Sequence, residues 1–331
     1  MNRLYVFPQR YLMLSVPLTL VLAFIIGAVA DTTVLQPTVL FATIIMIYVT
    51  MIGFNYKELT SLKGSKVLLY SLLINFLIVP LIAYGLGMTL LSDHPNMFAG
   101  LALSALLPTS GMTISWTAIH KGNVPAAVKL TVFGLVLGSV LTPWYLLVMV
   151  GQLVEVDILG TFRTIIMVVF IPMLLGHVTF KFLMKKFTMQ EFKTRVKPAL
   201  APISIWAMLY IVFVSVSARA DMIVNNLELI LIATLVLILF YFINFAVSTL
   251  FAVKFLDRGD GIALVNGTVL RNLSIAIGLA VASFGAEAAL IVTIAFVVQQ
   301  QGITIYGKLA LKNWFAQKES SQLKNTKPQK A

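Results

Sequence analysis

The sequence contains no cysteine, only three histidines and few charged residues, which make up 11% of its 331 residues. The missing cysteines exclude disulfide bonds, thiolate metal sites and cysteine nucleophiles. A soluble domain carries about 25% charged residues, whereas 60% of this chain is hydrophobic and its mean hydropathy is +0.97. The composition therefore excludes a soluble domain and predicts a protein that crosses a membrane several times.

The net charge of +12 would suit a nucleic-acid-binding protein. However, the basic residues lie in short loops and in a tail between apolar runs, where they act as topology signals. The predicted surroundings are therefore a lipid bilayer, and no nucleic-acid partner is expected.

Apolar runs of about 20 residues, the length that crosses a bilayer core as a helix, recur ten times. The sequence predicts an all-α membrane protein with spans near residues 11–30, 33–54, 67–92, 97–120, 124–150, 157–183, 198–219, 226–252, 261–284 and 286–312. The first run follows Arg3 and Arg10, as a cleaved signal peptide would. Because the apolar core of a secretory signal has only 7 to 15 residues, we interpret this run as a retained helix.

Loop charges separate the connections between spans into two sides. Twenty basic residues fall on one side, whereas the other side has only Arg219 together with seven acidic residues. The positive-inside rule then predicts that both termini are cytoplasmic. The predicted location is the cell membrane, either plasma or inner.

The longest basic loop, residues 181–197, separates five spans from five. An odd number of spans in each half inserts the second half upside down, as in inverted-repeat transporters. The predicted organisation is a first repeat with the start of the sixth span (1–180), the basic loop (181–197), the remainder of the second repeat (198–314) and a cytoplasmic tail (315–331).

The fourth and ninth spans are interrupted by polar residues near their middles. Pro108 lacks a backbone N–H and crowds the carbonyl of Ser104, which predicts a break in the fourth span or, alternatively, an ordinary proline kink. Residues 266–272 form a second polar stretch at the corresponding place of the ninth span. Paired interruptions indicate a substrate site, with the candidate residues Thr109, Ser110, Thr113, Asn266, Arg271 and Asn272.

Three basic residues lie inside apolar spans, where a charge costs roughly 2.5 to 3.5 kcal/mol on insertion scales and marks a functional site by default. Arg271 shares a helical face with small residues, so we expect it to point into the protein. There it either contacts an anion or serves as a structural residue bonded to carbonyls of the fourth span. Lys129 is expected to snorkel to the headgroups, and Arg163 to anchor its span at the interface.

The tenth span contains three consecutive glutamines at its middle. Gln300 aligns with Thr293 and Thr304 on one helical face and is therefore the expected inward member. It would either bind a substrate or join neighbouring helices. His177 in the sixth span is interpreted as a hydrogen-bonded residue, with a proton relay as the alternative.

The order of these features resembles the bile acid:sodium symporter superfamily, which also contains arsenite exporters. The resemblance is most specific over residues 97–145 and 261–305, where the proline-interrupted fourth span runs into His120-Lys121-Gly122-Asn123-Val124 and the ninth contains Arg271-Asn272. It implies a panel domain and a core domain, with the fourth and ninth helices crossing in the core. Substrate would then pass between the two domains by alternating access.

The positions that resemble the family's sodium ligands are incomplete in this chain. Three of them keep oxygen-bearing side chains and are candidate ion ligands: Thr113, Thr131 and Asn272. Others are occupied by Ile114, Ala127, Gly267 and Arg271. Because a fixed guanidinium repels sodium, we expect Arg271 to take the place of a sodium ion's charge, which leaves coupling to sodium or protons open. No other cofactor and no metal site are predicted.

We therefore interpret the sequence as a secondary transporter of a small organic anion, not an enzyme. A metalloid oxyanion exporter is the alternative within transport, although the typical cysteine of the arsenite branch is missing. A membrane-embedded enzyme or a channel is a further alternative, but the carboxylates lie at the ends of spans and the histidines are scattered. No obligate protein partner is evident.

Overall fold

The computed structural model describes residues 3–53, 65–218, 220 and 227–313, and within these ranges the chain forms helices and no β-strand. The helices make ten segments that confirm the predicted spans. Four positions used in the charge count, Lys57, Lys63, Arg219 and Asp221, and the predicted tail lie outside the described residues.

The first half contains five segments. They are segment 1 (Leu12–Gly27, preceded by a short helix Arg3–Arg10), segment 2 (Gln36–Met51), segment 3 (Ser65–Leu73, Ile74–Ile78 and Val79–Leu90), segment 4 (Pro95–Leu106 and Gly111–Ile119) and segment 5 (Val124–Val150). The Ile74–Ile78 stretch of segment 3 is a π-helical turn.

The second half also contains five segments, an odd number that inverts it relative to the first. They are segment 6 (Ile158–Ile165, Ile166–Phe170 and Ile171–Leu183), segment 7 (Lys197–Ser217), segment 8 (Leu227–Phe255), segment 9 (Arg258–Val269 and Leu273–Ser283) and segment 10 (Gly285–Asn313). Seven of the described helices are long and apolar enough to cross a membrane, and three shorter apolar helices supply segments 1, 4 and 6.

Local sequence signals set where several segments begin. Pro95 and Pro125 lie at the first turns of segments 4 and 5, where a missing N–H costs nothing and the fixed φ suits the helix. The side chains of Asn123 and Asp257 cap segments 5 and 9, with hydrogen bonds of 3.1 and 2.9 Å from backbone N–H groups three residues ahead.

The connection between the halves is more helical than predicted. We expected a loop through residue 197, but a helix already begins at Met189 and continues through a π-helical turn, Phe192–Val196, into segment 7. The N–H of Thr188 donates to Glu191 Oε2 at 2.9 Å, and the N–H of Glu191 donates to Thr188 Oγ1 at 3.2 Å. This reciprocal capping box starts the helix, so the basic residues Lys193, Arg195 and Lys197 lie on helical turns.

The segments pack in two groups. Segment 2 packs against segments 6 and 7, and segment 7 packs against segment 1, whereas segments 3, 4, 5, 8, 9 and 10 form the second group. One of the places where the two groups meet is the approach of segment 9 to segment 2, where a Cβ added at Gly278 would lie 2.9 Å from Thr43 Cγ2. These groups correspond to the panel and core domains that the resemblance implies.

Lys129 does not snorkel, contrary to the prediction. Its side chain is only 4% exposed. The cause is that segment 5 packs against segments 3, 4 and 9, so the turn that carries Lys129 is covered by protein instead of facing lipid headgroups. Arg163, near the start of segment 6, has an exposed side chain.

Candidate functional site

Segment 4 breaks at the proline, as predicted. Its first helix ends at Leu106 and its second begins at Gly111. Between them, Thr109 has a φ of 59°, a left-handed conformation that is rare for a β-branched residue. The Thr109 hydroxyl donates to the carbonyl of Pro108 at 2.7 Å and lies 3.3 Å from the carbonyl of Thr131 in segment 5. The strained turn is therefore hydrogen-bonded within itself and packs against the neighbouring helix.

Segment 9 breaks at the corresponding place, between Val269 and Leu273. Asn272 starts the second helix of this segment, since its side chain accepts the N–H of Ile275 at 3.4 Å. Its own N–H donates to the carbonyl of Leu107 at 2.8 Å. One direct backbone hydrogen bond thus joins the two interruptions and fixes the crossing of the two broken segments.

The crossing brings together the ends of four half-helices. The N-termini at Gly111 and Leu273 carry partial positive charge, and the C-termini at Leu106 and Val269 carry partial negative charge. Unwound backbone of this kind is tolerated at membrane depth only where protein or a water-filled cavity surrounds it.

Arg271 lies in the break of segment 9 and is 1% exposed. Its Nη1 donates to Asn75 Oδ1 at 2.7 Å, and its backbone N–H donates to Gln299 Oε1 at 2.7 Å. Neither Nε nor Nη2 has a hydrogen-bond partner among the described residues. Arg271 is therefore anchored at one nitrogen and at its backbone, while two guanidinium nitrogens are left without acceptors.

Two residues of this cluster were not expected from the sequence. Asn75 lies in the π-helical turn of segment 3, and its Nδ2 donates to Ser71 Oγ at 3.1 Å and to the carbonyl of Gly267 at 3.2 Å. Gln299 is fully buried, and its Oε1 also accepts a hydrogen bond from the hydroxyl of Tyr241 at 3.0 Å. A lone asparagine in an apolar run is a sequence signal for a functional position, and it would have identified Asn75.

The other predicted residues form a second cluster between segments 4 and 9. The hydroxyl of Thr113 donates to the carbonyl of Asn266 at 3.4 Å and accepts the N–H of Ser110 at 3.3 Å. Asn266 Nδ2 donates to Thr117 Oγ1 at 3.1 Å. The buried hydroxyl oxygen of Ser110 and the buried side-chain Oδ1 of Asn266 have no hydrogen-bond partner in the described part of the chain.

Gln300, unlike Gln299, has its side-chain hydrogen bond with segment 4 and not with Arg271. Its Nε2 donates to the sulfur of Met112 at 2.9 Å, so it contacts segment 4, whereas Gln299 contacts the break of segment 9. Thr131, the other predicted ion ligand, donates to the carbonyl of Ala127 within its own helix at 2.8 Å. The structure thus joins Arg271 to Gln299 and Asn272 to Leu107, and it places Thr113 and Asn266 beside each other.

Position 267, where the resemblance would place a sodium-ligating side chain, is packed against a leucine of segment 5. A Cβ added at Gly267 would lie 2.8 Å from Leu130 Cδ1. Leu130 therefore occupies the volume that a longer side chain at position 267 would need. Among the described residues, no group of three or more His, Cys, Asp or Glu side chains converges in a way that could hold a metal ion.

Ten membrane segments in two inverted halves, with paired interrupted helices crossing inside one group, define a membrane transporter. Residues 40–226 match the model of the sodium bile acid symporter family, and the chain belongs to this family.

The chain is also similar to individual proteins from bacteria and from a plant. The chain is 25% identical over 256 residues to the uncharacterized protein YbaS of Bacillus subtilis, covering 76% of this chain and 82% of that protein. It is 27% identical over 203 residues to the probable sodium/metabolite cotransporter BASS1, chloroplastic, of Arabidopsis thaliana, covering 59% and 48%. It is 22% identical over 262 residues to the arsenical-resistance protein Acr3 of Corynebacterium glutamicum, covering 74% and 70%.

Proposed function

We propose that this protein is a secondary transporter that moves a small organic anion across a cell membrane by alternating access, with Arg271 as the residue that attracts the anion. The supporting observation is a guanidinium that is 1% exposed and has two nitrogens without a hydrogen-bond partner among the described residues.

The physical argument rests on the cost of an isolated buried charge. Removing an ion from water costs several kcal/mol even after relaxation, and proteins offset this cost by pairing the charge. The residues that hydrogen-bond Arg271, Asn75 and Gln299, carry no formal charge. An anionic substrate would supply the missing countercharge, and the positive helix ends at Gly111 and Leu273 favour the same sign of ligand.

The same arrangement supports transport without a sodium ion at this position. Arg271 brings a permanent positive charge, and Leu130 fills the space beside Gly267. A sodium ion needs several oxygen ligands and would be repelled by the guanidinium. We propose that Arg271 supplies in this chain the charge that a coupling ion supplies elsewhere in the family.

The test begins with the purified protein. A thermal-shift screen against organic anions, with sodium or with potassium, identifies an anion that raises the unfolding temperature, because a ligand that binds only the folded state stabilises it. Transport of that anion is then measured in proteoliposomes for the wild type and for Arg271→Gln.

We expect Arg271→Gln to insert and fold but to lose transport, since glutamine keeps hydrogen-bonding groups and loses the charge. Arg163→Gln is the matched control, because it makes the same chemical change at an exposed position. Normal transport by folded Arg271→Gln would remove the anion site from Arg271 and return this residue to a structural role.

Arsenite or another metalloid oxyanion is the second candidate substrate, and the similarity to the arsenical-resistance protein Acr3 favours it. The chain has no cysteine, so it offers no thiolate to such a substrate. Expression in an arsenite-sensitive cell separates the candidates: resistance that depends on this protein would favour the metalloid over the organic anion.

A further inference from the structure

A cavity of about 500 Å³, which we call the panel groove, lies between segments 2 and 7 beside the short N-terminal helix. One helical face of each segment and Tyr5 of the short helix line it: Thr38, Phe41, Ala42, Ile45, Ile203, Trp206, Ala207 and Tyr210. Segment 2 meets segment 9 through another face, at Thr43. Phe41 is 67% exposed and Trp206 is 46% exposed. The panel groove is therefore open to lipid and separate from the crossing of segments 4 and 9.

The polar groups that line the panel groove are already hydrogen-bonded to the protein. The hydroxyls of Tyr210 and Thr38 lie 2.7 Å apart. Trp206 Nε1 donates to the carbonyl of Tyr5 at 3.1 Å, and the Tyr5 hydroxyl donates to the carbonyl of Ala199 at 2.6 Å. The surface left for a ligand consists of rings and aliphatic carbon. Because burial of such surface is favourable in proportion to its area, the groove fits an apolar chain.

Basic residues lie where segment 7 begins. Lys193 and Lys197 are exposed and stand one helical turn apart, so their positive charges repel each other. Glu191 of the preceding turn accepts hydrogen bonds from Thr188 and is attracted to Arg195. A ligand with negative charge would relieve the repulsion between the two lysines.

The N-terminal helix adds a third positive charge to this basic end. Arg3 is exposed and lies two residues before Tyr5, whose hydroxyl bonds the helix to Ala199, two residues after Lys197. Ile203 and Tyr210 follow Lys197 by six and thirteen residues, which places the groove about 9 to 20 Å from the lysine along the helix. Half of the hydrocarbon core of a bilayer is about 15 Å thick. With the lysines among the headgroups, the groove therefore lies at the depth of the acyl chains.

We propose that the panel groove is a binding site for an anionic phospholipid, with one acyl chain in the groove and the phosphate beside Lys193, Lys197 and Arg3. Clusters of Lys and Arg at the membrane surface attract anionic lipids through charge. The groove adds an apolar contact, which a charged cluster alone lacks. The bound lipid touches the N-terminal helix and both segments, so it holds this helix against the first group.

A second copy of the chain fits the panel groove less well. In a twofold-symmetric dimer, the commonest assembly, both subunits contribute the same surface. With the axis along the membrane normal, each residue meets its counterpart at the same depth. Lys193, Lys197 and Arg3 would then face the same positive charges, and one groove would face the other without filling it.

The experiment measures the quenching of tryptophan fluorescence in purified full-length protein in detergent. The probes are phosphatidylglycerol, which is anionic, and phosphatidylcholine, which has no net charge, each with brominated acyl chains that quench a tryptophan on contact. The quenching that is lost in Trp206→Phe reports the panel groove. Trp144→Phe is the matched control, because Trp144 is 54% exposed on segment 5, outside the groove.

For the wild type, we expect phosphatidylglycerol to quench Trp206 at a concentration about tenfold or more below that of phosphatidylcholine. The double variant Lys193→Gln, Lys197→Gln should lose most of this preference. The double variant Lys185→Gln, Lys186→Gln removes the same charge after segment 6 and should keep it. Ala207→Phe fills the groove and should weaken quenching by both lipids, while the unfolding temperature shows that the protein remains folded.

Three results would overturn the proposal. Equal quenching of Trp206 by both lipids would mean that ordinary surrounding lipid covers the groove. A preference that survives the loss of Lys193 and Lys197 would separate the headgroup from the basic end. If neither lipid quenches Trp206, the groove takes no lipid, and a mass of two chains by light scattering would identify a second copy as the occupant.

Discussion

The Gln299 side chain supplies hydrogen bonds that segment 9 loses where its helix stops. Its Oε1 accepts the N–H of Arg271 at 2.7 Å, and its Nε2 faces the carbonyl of the same residue at 3.5 Å. One side chain from segment 10 thus serves both backbone groups of the residue at the break. A buried polar group without a partner costs about 1 to 3 kcal/mol. At membrane depth, the two hydrogen bonds from Gln299 avoid this cost at the break.

We expect Gln299→Leu to lower the free energy of unfolding by about 1 to 3 kcal/mol, because the N–H of Arg271 is left without an acceptor. Gln300→Leu is the matched control one residue later. It removes only a 2.9 Å contact with a methionine sulfur, a weak acceptor, and should cost less. Unfolding temperatures in detergent measure both variants, and an equal loss in the two would contradict the assignment.

Two glutamines are buried where the helical wheel selected one. Gln300, which the wheel aligned with Thr293 and Thr304, points inward as predicted and is 4% exposed, but Gln299 is buried as well. The wheel gives positions only relative to segment 10 itself. The rotation of this helix in the protein is set by packing, including the close approach of Gly100, where an added Cβ would lie 2.4 Å from the carbonyl of Ala288. That contact between distant parts of the chain is not visible in a local pattern.

At the scale of elements, glycines of segment 5 allow the break of segment 4 to come close. A Cβ added at Gly134 would lie 2.5 Å from Thr109 Oγ1, and one at Gly138 would lie 2.8 Å from Pro108 Cδ and 3.1 Å from the carbonyl of Leu106. These neighbours are ring and backbone atoms, or a threonine held by hydrogen bonds. Segment 5 is therefore the surface on which the unwound part of segment 4 rests.

We predict that Gly138→Ala destabilises the protein by about 1 to 3 kcal/mol through overpacking, because neither the proline ring nor the carbonyl can move freely. Gly85→Ala is the control, since its added Cβ would meet no atom within 4 Å. Replacing that helical glycine should be neutral or stabilise by up to about 1 kcal/mol. Thermal unfolding of both variants provides the comparison, and an unaffected Gly138→Ala would show that segment 5 can shift away.

The breaks themselves were predictable, and their internal geometry was not. Pro108 removes an N–H and crowds the preceding turn, so the sequence alone located the interruption of segment 4. The left-handed Thr109 packs closely against Gly134, which belongs to another helix. The π-helical turn at Asn75 ends two residues before Pro80, as the other two π-helical turns end two residues before Pro172 and Pro198. A proline, which cannot continue the helical hydrogen bonding, therefore marks this turn in the sequence.

At the scale of the whole molecule, the proposed independence from sodium should appear in transport. We predict that the rate for the stabilising anion survives complete replacement of sodium by potassium in proteoliposomes. The reasons are the fixed charge of Arg271 and the volume filled by Leu130. A steep, saturable requirement for sodium would mean that carbonyl oxygens build an ion site elsewhere in the crossing.

The topology gives a second test at this scale. Single cysteines introduced at Lys66 and Lys186 should react only with reagents applied from the cytoplasm, and those at Asp93 and Glu155 only with reagents applied from outside, as the positive-inside rule predicts. The chain has no native cysteine that would interfere. Labelling of position 186 from outside would contradict the predicted orientation of the two halves.

The hydrogen bond from Asn272 to Leu107 also has a consequence for biosynthesis. Its donor is made long after its acceptor, by roughly ten to thirty seconds at a synthesis rate of about 5 to 20 residues per second. During that interval the unwound carbonyl of Leu107 has no access to its final partner, and an exposed carbonyl in lipid costs several kcal/mol. The nascent first half must therefore keep this turn beside water or the insertion machinery until segment 9 arrives. Late emergence of segment 9, not the insertion of any single helix, then sets when the core can close.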